Sequence, residues 1–234
     1  MSLPTLEVSL WNACTEGRLE EVKALCQRPD LDVNWADPAH WRSPFYRACS
    51  HDRVAVVEYL LRDPRVNVNQ AQNQQGTPLN IACQDGFVEV VKLLLRDPRT
   101  DVNVADVYGA TPLWISCQNG LLEVVKLLIV FRPDTLNMWT VTVPGTALWN
   151  NTTALDIATE KGHGQIAGLL KDFVAGPHLV VNSLKKEFRL RGSVARLEGF
   201  PPTPFLLCIL GLTSPLVSRS HSWGAPCAGG VSFR

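Results

Sequence analysis

Cysteine is the side chain whose placement in this 234-residue chain first suggests chemistry. Cys14, Cys49, Cys83 and Cys117 recur about once every 34 residues, and a thiolate can attack a substrate, pair with another or bind zinc. A disulfide wants Cα atoms roughly 4.4–6.8 Å apart, and zinc wants sulfur at about 2.3 Å. One Cys on each of a series of stacked helices, whose axes lie about 8–10 Å apart, suits neither. The four read as small core residues. His40, His51, His163, His178 and His221 show no ligand spacing with one another or with the Cys. Gly162-His163-Gly164 follows no strand and has no matching Lys, so it reads as a helix break and not a phosphate loop. No Ser/His/Asp order, nucleophile elbow or carboxylate pair stands out. The expectation is a chain with no catalytic residues, no metal and no cofactor.

The elements that carry these residues repeat. A shift of 34 lays Thr77-Pro78-Leu79 on Thr111-Pro112-Leu113 and, backwards, on Ser43-Pro44-Phe45. It also superposes Val90-Val91 on Val56-Val57 and Val124-Val125, and Asn103 on Asn69. A first copy lacks the Pro motif but keeps Ala13-Cys14, Gly17 and Val33-Asn34, and a last one reads Thr153-Ala-Leu-Asp-Ile-Ala before Gly162. The units run over about 3–34, 36–69, 70–103, 104–137 and 138–174. Ser43, Thr77, Thr111 and Thr153 are helix N-caps, Pro takes the first helical position after the first three of them, and Gly86, Gly120 and Gly162 end the helix. A second helix follows, with Val88, Val91, Leu94 and Leu95 on one buried face, and Asp97-Pro98 stops it. Helices of about ten residues are not stable alone and must stack on their neighbours.

These units, exemplified by Gly76-Thr-Pro-Leu-Asn-Ile-Ala-Cys-Gln-Asp-Gly and Asp101-Val-Asn103, resemble ankyrin repeats. The resemblance covers 3–174. It implies an all-α helical repeat solenoid with projecting β-turn fingers, whose concave side of fingers and first helices binds other proteins. The chain departs from the family in three ways. Asp-Pro-Arg-x-Asp-Val-Asn (97–103, echoed at 63–69) replaces a shorter Gly-containing link. The usual His after Thr-Pro-Leu gives way to Tyr46, Asn80, Trp114 and Asp156, so the resemblance does not carry over the bond that His supplies to the fingers. Unit two has Trp41 and Asp52 where the family has Gly, and reads as the least regular.

Family positions that face a partner map onto Asn73, Gln74, Val107 and Tyr108 in the fingers. On the first helices they map onto Tyr46, His51, Asn80, Gln84, Asp85, Trp114, Gln118 and Asn119. Tyr108 and Trp114, in one unit, suit a hot spot. Unit five carries eight extra residues, read as a lengthened finger around Pro144-Gly145 that presents Trp139 and Trp149. The expected function is a scaffold binding another protein, as a monomer.

The chain is electrically neutral overall, with 22 basic and 22 acidic residues, which argues against nucleic acid as the partner. Residues 1–174 hold 15 basic and 20 acidic side chains and 175–234 hold 7 and 2, a net of −5 against +5. No apolar run reaches the roughly 18 residues of a membrane span, the start shows no secretory pattern, and seven Cys suit the cytoplasm or nucleus. Residues 175–234 break the repeat, and one third of them are Gly, Pro or Ser, so they read as a basic, disordered tail with helical character around Leu184 to Leu197. Ser183-Leu184, Phe188 and Pro201-Pro202-Thr203-Pro204 faintly resemble a SOCS box, which implies the alternative of a substrate-binding ubiquitin-ligase adaptor. A regulatory fragment of a larger protein is the third reading.

Overall fold

The computed structural model describes residues 5–133 and 152–189. Five helix pairs follow one another: α1 (Leu6–Glu16) with α2 (Leu19–Cys26), α3 (Pro44–Ser50) with α4 (Val54–Leu61), α5 (Pro78–Asp85) with α6 (Val88–Arg96), α7 (Pro112–Gln118) with α8 (Leu122–Phe131), and α9 (Ala154–Glu160) with α10 (Gly164–Ala175). A further helix, α11 (Pro177–Glu187), follows. First helices stack on first helices in the order α1, α3, α5, α7, α9, and second helices stack likewise from α2 to α8 and α10. The fold is all-α, a helical repeat solenoid.

Local chemistry sets each pair. Thr5, Ser43, Thr77, Thr111 and Thr153 are extended N-caps whose hydroxyls accept from the amides of Val8, Tyr46, Asn80, Trp114 and Asp156, satisfying helix-start donors that have no partner within the helix. Between the two helices of a pair the chain turns at one left-handed residue: Gly17, Asp52, Gly86, Gly120 or Gly162. The next amide reaches back five residues, as in Arg18 N to Ala13 O and Phe87 N to Ala82 O, the Schellman closure that terminates a helix. Asp52 makes the same turn at φ 54°, so its difference from the family costs strain and not geometry.

The long links between units replace backbone turns with side-chain bonds. Asn34 donates to Arg65 O at 2.8 Å and accepts from Asn67 N at 2.8 Å. Asn69 repeats this with Arg99 O at 2.7 Å and Asp101 N at 2.9 Å. The arginines of the same links run the other way: Arg65 donates to Cys26 O, and Arg99 to Leu61 O, both at 2.7 Å. They satisfy carbonyls at the end of the preceding second helix, which have no acceptor role within it. Each link is thereby tied to both neighbours.

The core is one continuous cluster. Val22, Val56, Val90, Val124 and Ile166 hold equivalent places on the second helices, and Cys14, Cys49, Cys83 and Cys117 sit fully buried on the first. Apart from Glu123 and Lys126, α8 is apolar, and Leu127, Ile129 and Val130 are buried along with its inner face. α11 packs against α8 and α10, burying Val181 and Leu184, and Lys126 of α8 meets Glu187 at 2.6 Å. Of the segment expected to be a largely unstructured tail with some helical character, residues 177–187 are a helix, which covers the apolar outer side of α8. The rest of that segment, from 190, lies outside the described residues. Among those residues no helix is long and apolar enough to cross a membrane.

Candidate functional site

The fingers are short turns that precede α3, α5 and α7. Each closes on itself, with Asp37 N bonded to Arg42 O, Gln72 N to Gly76 O and Asp106 N to Ala110 O. A side-chain acceptor at the same place holds the loop. Asp106 Oδ1 takes the amides of Tyr108 and Ala110 at 2.9 and 3.0 Å, and Gln72 Oε1 takes that of Gln74 at 2.8 Å. Asp37 takes those of His40 and Arg42, both at 2.9 Å. Burial pushes the Asp37 carboxyl up, but those amides outweigh it and hold the group below its ordinary range. Successive fingers are joined through Asn73 N to His40 O and Val107 N to Gln74 O, both at 3.0 Å.

Asn80 takes the place of the absent His. Its side chain completes a capping box with Thr77 and donates to Val104 O and Ala110 O, at 3.2 and 3.4 Å, at the base of the next finger. The carboxamide thus fixes a finger to the first helix beneath it.

Fingers and first helices of three consecutive pairs border a cavity of about 340 Å³. Eight of the fourteen side chains expected from the sequence line it: Tyr46, Gln74, Asn80, Gln84, Tyr108, Trp114, Gln118 and Asn119. Their parts differ. Tyr46, Asn80 and Trp114 are only 5%, 4% and 2% exposed and form its floor, so Trp114 shows little surface for the hot-spot contact expected of it. Tyr108 is 45% exposed, and Gln74, Gln84 and Asn119 are exposed with it. Of the other six, Asn73 and Val107 act through the backbone bonds between fingers. His51 lies 3.2 Å from Arg47 and 2.9 Å from Ser50, and burial together with the Arg47 charge lowers its pKa. Asp85 is exposed on α5; burial of part of its carboxyl raises its pKa against the opposing pull of His51. Trp139 and Trp149 lie outside the described residues.

The sequence reading missed Gln72, Ile81, Asp106 and Ile115, which also line the cavity, and Trp41, which is 63% exposed beside it in the row of fingers. A large aromatic at a position that favours Gly was the available signal for Trp41. With Gln72, the lining carries six carboxamides; Asn80, Gln72 Oε1 and Asn119 Nδ2 are engaged within the fold, and the exposed Gln74 and Gln84 side chains bring both donors and an acceptor to the surface. Its one carboxylate, Asp106, is already engaged by backbone amides.

The five cysteines among the described residues do not line the cavity. They are buried and unpaired, and burial pushes the thiols up, Cys26 to about 11 and Cys83 to about 12, so they stay protonated. Among the described residues no group of three or more His, Cys, Asp or Glu is placed to hold a metal ion.

Family models agree with this architecture. Ankyrin repeats, in three copies, match residues 65–137, and a single ankyrin repeat matches residues 42–70. Residues 42–137 are ankyrin repeats. Ankyrin repeats in general are non-catalytic modules that mediate contacts between proteins. The cavity lies wholly inside the matched ankyrin segment. No curated protein matches the chain.

Proposed function

We propose that this protein is a non-catalytic scaffold that binds another protein through the fingers and first helices of residues 37–119. The observation that carries this reading is the convergence of eight expected side chains, from three successive helix pairs, on one cavity. Its carboxamides match the alternating donors and acceptors of a peptide backbone, and Tyr108 offers a rigid aromatic surface beside them. Because the helix stack and the bonds between fingers fix these groups beforehand, association loses little conformational entropy. Five buried, unpaired thiols suit a reducing compartment, cytoplasm or nucleus.

The test is affinity capture from a native lysate with the full chain and with Gln84→Ala/Tyr108→Ala. Both side chains are exposed, so the variant is expected to melt like the parent and to lose the captured proteins. Full retention by a folded variant contradicts the reading. Trp114→Ala is unsuited to this purpose, since it opens a cavity in the core.

A further inference from the structure

Beside the amide-lined cavity, the α1–α3 end of the row of first helices holds cations without counter-ions. Arg42 precedes α3, Arg47 lies within it and Arg53 follows it. Arg18, Arg28, Arg62, Arg65 and Arg99 pair with carboxylates; among the described residues Arg42, Arg47 and Arg53 form no ion pair. Neutral groups hold them instead. Arg47 lies 4.4 Å above the Trp11 ring and donates to Thr15 Oγ1 at 3.1 Å. Arg53 donates to Thr15 O at 2.9 Å. Arg42 Nε is buried without a hydrogen-bond partner.

The carboxylate that acts on Arg47 does not offset its surroundings. Burial and the Arg42 charge lower the Arg47 pKa, and Asp37 raises it by less. Asp37, the nearest carboxylate of that finger, is engaged by two backbone amides and by His40 at 3.5 Å. Next to Arg42 stands Trp41, exposed and held at φ 61°, where an L-residue costs about 1–2 kcal/mol relative to the right-handed region. Most of the Trp41 side chain thus remains open to solvent beside Arg42.

We propose that this face binds an acidic segment of the partner protein, its carboxylates on Arg42 and Arg47 and an apolar side chain on Trp41. This deepens the protein-binding reading and rests on it. A partner protein fits better than nucleic acid, because ankyrin repeats in general mediate contacts between proteins and the flat guanidinium fork matches a carboxylate in two-point geometry.

The experiment measures fluorescence anisotropy of labelled probes against the full chain at low salt. One probe is a peptide of eight glutamates around a central leucine; the others are its all-glutamine analogue and an oligothymidylate of equal charge. The acidic peptide is expected to bind at least about tenfold more tightly than either comparator. R42Q/R47Q is expected to lose that preference, Arg47→Lys to keep part of it, and K185Q/K186Q to leave it unchanged. Trp41→Gly is expected to weaken binding severalfold while melting higher than the parent, so that its loss is not unfolding. Equal binding of the glutamine peptide or the oligothymidylate overturns the proposal. So does loss through K185Q/K186Q, or full binding by R42Q/R47Q or by Trp41→Gly. If captured proteins depend on Gln84 and Tyr108 while the acidic peptide ignores the arginines, the protein-binding reading stands and the acidic partner falls.

Discussion

Trp41, Asp52 and Gln75 occupy left-handed backbone, at φ 61°, 54° and 61°, where glycine pays no steric cost. Gly109 holds the finger position equivalent to Trp41 and Gln75. We therefore expect Asp52→Gly to raise stability by up to about 1 kcal/mol, the strain relieved exceeding the entropy glycine adds to the unfolded chain; a thermal melt checks it. The reverse changes separate strain from space. At Gly162, φ is 78° and an added Cβ meets nothing within 4 Å, whereas at Gly120 (φ 72°) it falls 2.6 Å from the His163 ring. Gly162→Ala is expected to cost only the backbone strain, about 1–2 kcal/mol. Gly120→Ala is expected to cost clearly more, because the His163 ring, bonded to Gln118 O at 3.1 Å, must move. Equal losses in denaturant titration would mean that the ring moves freely. These positions were legible in the sequence as Gly or as departures from Gly; which of them was crowded was not, since the crowding side chain lies 43 residues further on.

At the scale of elements, the links between helix pairs decide cohesion. Asn69 bonds one carbonyl and one amide of the next link, and Asn69→Ala leaves both without their partner. A loss of about 1–3 kcal/mol in chemical denaturation is expected; no loss would show that water replaces the bonds at no cost. The arginines of the links bring a pH dependence. Arg65 holds the Asp63 carboxyl, and Arg99 that of Asp97, below the ordinary carboxylate range. A carboxyl with a folded pKa below its unfolded value contributes stability above the unfolded pKa and loses it as pH falls through the folded one. Melting temperature is therefore expected to fall from about pH 4 downward, and Asp97→Asn to flatten that fall; an unchanged acid limb contradicts it. The repeated Asp-Pro-Arg-x-Asp-Val-Asn marked these links, but its bonds cross to neighbouring units, which a single unit's pattern does not show.

For the whole described unit, cohesion passes from pair to pair, so the last layer matters as much as the middle ones. α11 supplies part of that layer through Val181, Leu184 and the Lys126–Glu187 ion pair. Ending the chain after Gly176 is expected to lower the melting temperature by several degrees relative to ending it after Arg189, since burying two such side chains contributes about 3–6 kcal/mol before entropy is counted. Equal melts would mean that α11 rests on the stack without supporting it. Its helicity was faintly visible in the sequence, and its docking was not. The apolar outer side of α8 is the physical reason for the docking, and it becomes a demand only once the inner side is already covered.

The 34-residue period, the cap residues and the glycines determined by themselves the helix pairs, their order and the side of the stack that carries the fingers, because each depends on contacts within one unit or on its copy. Burial and convergence were decided only by the tertiary structure. Trp114 became floor and Tyr108 surface, Asn80 replaced the missing His as the finger's anchor, and Arg42 came near enough to Arg47 for their charges to interact. Those outcomes depend on which neighbouring unit reaches each side chain first, and the spacing along the chain does not carry that information.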